Sequence, residues 1–375
     1  MPVRILYCSD NSSDHNLRFL QKISSAGHEV FFCDLSGGDE RKGWSSADVH
    51  YLQHRIALGS CAGIADARGH VAEFRSMLDQ VRADLVHAGP VQNCGYIAAL
   101  ADFHPLIVMS WGSDLLRKQS NPEWISATRI ALEGADGFVC DCDAVLNAAR
   151  EYAALPDWRV AQFPWGVSSE MFSPAGTVSS RDVMPFGPDT IRLICTRSWE
   201  PLYRIDLLLE AFLRAWKQDQ RLRLMLLGDG SERRKIATFI TQNGLQNVVL
   251  TPGKMDRAEL PSWFRAATGY VSCAESDGTS VSMLEAMTTG VPVIVTDIPS
   301  NREWVKPDEN GWLAKDIEGF TEKMLLVCNL TAAQREKISE RNRFVIASRA
   351  DWDKNSDLLL RLYVRVVCRQ GAVFA

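Results

Sequence analysis

Residues 271–297, VSCAESDGTSVSMLEAMTTGVPVIVTD, hold the densest set of groups able to do chemistry. Two carboxylates, Asp277 and Glu285, stand on either side of Gly278, Thr279, Ser280, Val281 and Ser282. The order reads as an apolar strand end, a turn-rich polar loop, a helix with Met283, Leu284 and Met287 on one face, a stop at Gly290, and a new strand from Pro292. A loop at the carboxyl end of a parallel strand, running into a helix start, is where open α/β sheets bind ligands. The first N–H groups of such a helix lack intrahelical acceptors and sit at its positive dipole end, which suits a phosphate. Glu285, one turn in, is within reach of a sugar hydroxyl. Spacing alone offers a plainer use: Ser282 and Glu285 stand as in a capping box, and Gly278 serves the turn.

A loop of this kind needs a parallel sheet behind it, and the rest of the chain carries that pattern. Val3–Tyr7 reads as a strand, the polar turn DNSSDHN follows, and Leu17, Leu20 and Ile23 recur at helical spacing before a second strand at His28–Cys33. From Val71 onward helices and short apolar strands alternate, with strands at 84–87, 106–110, 137–140 and 159–163. The second half restarts the alternation, with strands at 191–196, 222–227, 247–250, 269–273, 292–296 and 311–314. The chain ends in helices over 331–348 and 353–368. The expected fold is α/β, two Rossmann-like doubly wound domains. Residues 1–172 form the first, 173–190 a linker rich in Ser, Gly and Pro, 191–352 the second, and 353–375 a final helix returning to the first. The first loop has no G-x-G-x-x-G, so a dinucleotide fingerprint is not supported.

Composition narrows the function. At 375 residues the chain is long for one domain, and 46% hydrophobic residues are ample for two cores. A formal charge of −5 gives no reason to expect nucleic acid. The start MPVRILYCSD reads as a first strand rather than a leader. The ten cysteines show neither CxxC pairs nor zinc spacing, which suits reduced, buried thiols in a cytosolic protein.

Several segments together resemble family 4 of the retaining glycosyltransferases, which has the GT-B fold. They are SAGHEV at 25–30, FPWGVSSEMFSP at 163–174, LLGDGSERRKI at 226–236, the block from Val248 to Val305, and ADWDKNSDLLLRLY at 350–363. Each is weak alone; their order and spacing across nearly the whole chain are specific. The resemblance implies two domains with a cleft between them, the first for an acceptor and the second for a nucleotide-sugar donor. It also implies a retaining sugar transfer without a metal, in which the leaving phosphate takes the acceptor's proton. No cofactor is expected beyond the nucleotide-sugar co-substrate, for which UDP is the nucleotide on family grounds. The acceptor classes that fit are a saccharide, a lipid-linked or a small-molecule hydroxyl. A weak peripheral membrane contact at the inner face suits the lipid-linked case.

Residue by residue, the resemblance places Asp277 near the donor sugar and Glu285 on the ribose, with Asp277 standing where the family has a glutamate. It makes Arg197 the bidentate phosphate contact. The family's lysine-glycine pair is Tyr203-Arg204 here, so Arg204 or Lys254 is the candidate for the missing charge. Gly228 belongs to the GDG motif, and Lys254 and Met255 stand where the family frames its base. Gly278 and the N–H groups of Thr279, Ser280 and Val281 would hold the distal phosphate. On the acceptor side the candidates are His15, His87, Trp111 and Asp114. Each has a plainer alternative: surface polarity for His15, a satisfied strand-end histidine for His87, packing for Trp111 and helix capping for Asp114. Residues 36–66 and 111–122 are expected to set acceptor specificity. Two rivals remain, a non-catalytic nucleotide-sugar binder and a GT-B sugar phosphorylase.

Overall fold

The computed structural model describes residues 2–11, 13–37, 49–54, 56–58, 64–117, 120–176, 186–187 and 189–373. It divides into two compact units, one of Met1–Phe163 with Asp353–Ala375 and one of Pro164–Trp352. The expected linker residues 177–185 and 188, and most of the specificity loop between 38 and 63, lie outside the described residues.

The first unit is built on a seven-stranded parallel sheet: β1 Arg4–Ser9, β2 Glu29–Asp34, β3 Val49–Tyr51, β4 Leu85–Ala88, β5 Leu106–Met109, β6 Gly137–Cys140 and β7 Val160–Gln162. Its order is β3-β2-β1-β4-β5-β6-β7. Strands β4, β5 and β6 are buried at every residue, because helices cover both faces of a parallel sheet, and their sequences are accordingly apolar runs. The helix Val71–Val81 buries Phe74, Met77, Leu78 and Val81, an i, i+3, i+4, i+7 stripe. β3 and the helix Ile64–Gly69 carry too little apolar pattern to read from sequence.

The helix Asp357–Val373 packs with this unit. Its Leu362 lies against Gly137 of β6, where an added Cβ would come 3.2 Å from the Leu362 side chain. His87, at the end of β4, bonds through Nδ1 to the Tyr363 hydroxyl at 2.5 Å.

The second unit is a six-stranded parallel sheet of β8 Ile191–Cys195, β9 Leu222–Leu227, β10 Val249–Gly253, β11 Gly269–Ser272, β12 Val293–Thr296 and β13 Gly311–Ala314, in the order β10-β9-β8-β11-β12-β13. The exit segment after Phe163 already belongs here, ahead of the expected boundary at 172. Val167 bridges to Asp351, and the Phe172 ring meets Phe264 edge-on at 5.9 Å. In both sheets the order reverses between two neighbouring strands, β1 and β4 in the first and β8 and β11 in the second. These are the points where a crevice opens outside the carboxyl ends of the strands.

Candidate active site

In the second unit the switch point is lined by the loops after β8 and β11, and these carry Arg197 and Asp277. Arg197 Nη2 lies 2.8 Å from Asp277 Oδ2, with the side chains only 11% and 19% exposed. Arg197 Nη1 donates to Ser280 Oγ at 2.9 Å and to Ser282 Oγ at 3.2 Å. The guanidinium lies over the Tyr203 ring, 4.2 Å from its centroid. Tyr270 and Ser282 hydroxyls are 2.8 Å apart, which fixes the far side of the cluster.

Burial by itself lowers the Arg197 pKa, but Asp277 outweighs it and the guanidinium is held charged more firmly than usual. Burial raises the Asp277 pKa above its ordinary 3.8, and Arg197 restrains that rise.

Around this pair Thr196 Oγ1, Arg197 Nε, Trp199 Nε1 and Ser276 Oγ are buried with no hydrogen-bond partner among the described residues. A buried polar group without a partner costs about 1–3 kcal/mol. Their collection on two loops beside one firmly charged guanidinium is a chemistry that favours an oxygen-rich anion.

The helix Val281–Thr288 starts at the same place. Ser280 is its N-cap, its hydroxyl accepting from Met283 N at 3.4 Å. Ser282 is therefore the second helical residue and Glu285 the fifth, so the capping box suggested by their spacing does not form. Thr279, Ser280 and Val281 are 4%, 4% and 8% exposed, and Gly278 beside them is buried. The loop is anchored from behind: Ser300 Oγ donates to the Asp277 carbonyl at 2.7 Å, and Glu275 N to the Leu202 carbonyl at 2.9 Å.

Glu285 is buried, and its carboxylate lies 3.3 Å from Arg257 Nη1. Arg257, on the loop after β10, escaped the sequence reading. Nothing in local spacing links residues 257 and 285; only the packing of that loop against the helix does.

The charges expected to replace the family lysine are placed differently. Arg204, in the left-handed conformation at φ 49°, donates from Nε to Asp206 at 3.1 Å, and that bond raises its pKa. It is thus already committed to a carboxylate two residues away. Lys254 is exposed beyond β10, and among the described residues no contact ties it to Arg197. Met255 is partly buried against the core of this unit. Gly228 has φ 136°, and a Cβ there would sit 2.5 Å from the Arg197 carbonyl oxygen. It is the glycine that lets the loop after β9 close on the Arg197 turn.

In the first unit, three of the four expected acceptor-side residues sit on the segments after β1 and β5, beside the β1/β4 switch point. His15 follows β1, near the start of the helix Asp14–Ser25, and its ring centroid is 6.5 Å from that of Trp111. Phe19 meets Trp111 edge-on at 6.0 Å. Asp114 is not a cap, since Gly112 is the N-cap of its short helix. Its carboxylate accepts from Ser110 Oγ at 2.6 Å and Val91 N at 3.1 Å, tying two sheet-end loops together.

His87 does not join them. It is fully buried, and burial lowers its pKa from 6.5 to about 3, so it is a neutral structural residue on the Tyr363 seam. Asp10, unmarked by any motif, also lies at this switch point. Asn11 and Asn93 donate to its carboxylate at 2.9 and 3.5 Å, and burial raises its pKa from 3.8 to about 6. Its position just past β1 was the available signal.

Two Rossmann-like units of this kind define the GT-B class. Two family models match the chain: glycosyl transferases group 1 over residues 180–344 and glycosyl transferase 4-like over residues 4–141. Both models are of glycosyltransferases, the group 1 model matching the second half of the chain and the 4-like model the first. Over 155 residues it is 32% identical to a GDP-mannose-dependent alpha-mannosyltransferase of Mycolicibacterium smegmatis, covering 40% of this chain and 38% of that protein. The match thus spans well under half of that relative's length. Among solved structures, sucrose-phosphate synthase from Thermosynechococcus elongatus superposes with a TM-score of 0.83 over 100% of both chains at 16% identity. HepE of Anabaena, in complex with UDP and glucose, superposes with a TM-score of 0.78 over 96% of this chain and 99% of that one, also at 16% identity. Among the described residues no helix is long and apolar enough to cross a membrane.

Proposed function

We propose that this protein moves a sugar from a nucleotide-diphospho-sugar to an acceptor hydroxyl with retention of configuration. The observation that carries this reading is the Arg197 cluster at the β8/β11 switch point, beside the start of the helix Val281–Thr288. Cleavage of the sugar–phosphate bond builds negative charge on the leaving diphosphate. A fixed, firmly charged guanidinium and the first N–H groups of a helix stabilise that charge without reorganising. Arg197 contacts the diphosphate, with Gly278, Thr279, Ser280 and Val281 lending backbone donors. Asp277 orients Arg197 and lies beside the sugar, and Glu285 holds the ribose. The phosphate oxygen freed in the step takes the acceptor proton, so the protein supplies no separate base and no metal or other cofactor.

UDP is the nucleotide we favour, supported by the UDP-bound HepE with the same fold. The GDP-mannose-dependent relative makes GDP the alternative to test. His15, Trp111, Asp114 and Asp10 in the first unit are the acceptor-side candidates. The acceptor class is a saccharide, a lipid-linked or a small-molecule hydroxyl.

The test is a panel of UDP- and GDP-sugars incubated with saccharide and lipid-linked acceptors, with and without EDTA. Products are read by mass spectrometry and the anomeric configuration by NMR. The expected result is transfer with retention, unaffected by EDTA. Tight donor binding with no transfer to any acceptor would instead make the protein a nucleotide-sugar binder.

A further inference from the structure

The segment Pro201–Tyr203 makes one tight helical turn between β8 and the helix Ile205–Gln218. Hydrogen bonds fix its backbone. Tyr203 N donates to the Glu200 carbonyl at 2.9 Å, and Arg204 N to the Pro201 carbonyl at 3.2 Å. From the loop after β11, Glu275 N donates to the Leu202 carbonyl at 2.9 Å. The Tyr203 side chain is partly buried against the core of the second unit. Packing of that kind accounts for an aromatic residue here. It does not account for what lies over the ring, the Arg197 guanidinium, with Cζ 4.2 Å from the ring centroid.

The other contacts of Arg197 give that placement a purpose. Asp277 engages Nη2, and Ser280 and Ser282 engage Nη1. Nε is buried and has no hydrogen-bond partner among the described residues. The terminal nitrogens are thus committed and Nε is the uncommitted donor, while the Tyr203 ring covers the flat group. A side chain with this many torsions keeps one orientation only where several contacts agree on it. A cation–π contact strengthens as its cation is desolvated, and the Arg197 side chain is 11% exposed. Arg204, next in the chain, is committed to Asp206, so a ring rather than a second cation covers Arg197.

We propose that Tyr203 is a positioning residue of the donor site: its ring holds the Arg197 guanidinium in the orientation that offers Nε to a phosphate oxygen of a nucleoside diphosphate. The contact is made by the ring face, so the hydroxyl is dispensable. This inference rests on the donor-binding reading of the Arg197 cluster.

The test is calorimetric titration with UDP and with GDP of the wild type, Tyr203→Phe, Tyr203→Leu, Tyr203→Met, Arg197→Ala and the double variant Arg197→Ala/Tyr203→Leu, with thermal melts to show that each folds. Tyr203→Phe keeps the ring and is expected to bind within about twofold of the wild type, whereas Tyr203→Leu keeps apolar bulk, loses the ring face and binds about tenfold more weakly. Tyr203→Met gives the same loss with a side chain of different shape. In the Arg197→Ala background Tyr203→Leu causes no further loss, because its effect passes through the guanidinium. A ring that serves only packing would give additive losses. Undiminished binding by Tyr203→Leu and Tyr203→Met, an equal loss in Tyr203→Phe, or additive losses in the double variant overturns the proposal and leaves the donor reading standing. Absence of wild-type binding to both diphosphates, or unchanged binding in Arg197→Ala, overturns both.

Discussion

At the scale of single residues, the two carboxylates that first drew notice each hold an arginine: Asp277 holds Arg197 and Glu285 holds Arg257. An ion pair this buried is most revealing when broken, because the partner is left as an uncompensated charge. That penalty is about 3–5 kcal/mol for a fully buried pair. Arg197→Ala is therefore expected to lower the urea midpoint. Adding Asp277→Asn should recover much of that loss while leaving donor turnover low. Recovery of both together would separate Arg197 from the chemistry.

For the second pair, Glu285→Ala is expected to weaken nucleotide affinity about tenfold, and Arg257→Ala by less. Calorimetric titration of the double variant should show non-additivity, since Arg257 acts through Glu285. Asp277 was legible as a loop carboxylate and Arg197 as a phosphate contact by resemblance, but their pairing was not legible. Arg257 was not legible at all, because its role arises from two segments that meet only in the folded chain.

At the scale of elements, the donor loop is held by backbone geometry. Gly228→Ala would bring a methyl against the Arg197 carbonyl and force a left-side backbone angle onto a residue with a Cβ. The expected result is a loss of about 2 kcal/mol in urea unfolding together with weakened donor binding, whereas Gly244→Ala, with open space around it, should spare binding.

The first unit offers a pH test. His87 titrates near 3 when folded and near 6.5 when unfolded, so the unfolded chain binds the extra proton and stability is lost as pH falls through that window. Asp10 titrates near 6 when folded and 3.8 when unfolded, so its contribution has the opposite sign and is lost as pH rises. Between about pH 4 and 6 the two oppose each other. Asp10→Asn should steepen the acid loss by roughly one proton, about 1.4 kcal/mol per pH unit. His87→Asn should reverse the slope. Urea melts at pH 4, 5 and 6 check both.

At the scale of the whole molecule, both parallel sheets were legible because strands such as Gly137–Cys140 and Val293–Thr296 are short apolar runs set between helices. Edge strand β3 was not, since only Val49 of its three residues is buried and little apolar pattern remains. The helix Ile317–Cys328 was missed for the opposite reason. It buries Phe320, Thr321, Met324, Val327 and Cys328, and no clean polar face marks its period. The switch points followed from strand order, which sequence alternation suggests but does not fix. The side chains gathered there, Arg197 with Asp277 and Asp10 near Asp114, depend on that order.

The central claim is that the Arg197 cluster binds the diphosphate of a nucleotide-sugar donor, and calorimetric titration with UDP, GDP and uridine tests it most directly. At least one nucleoside diphosphate should bind, uridine should bind far more weakly, and Arg197→Ala should lower the diphosphate affinity on the order of a hundredfold. Diphosphate binding of equal strength in wild type and Arg197→Ala, or no binding of either diphosphate to the wild type, would contradict it.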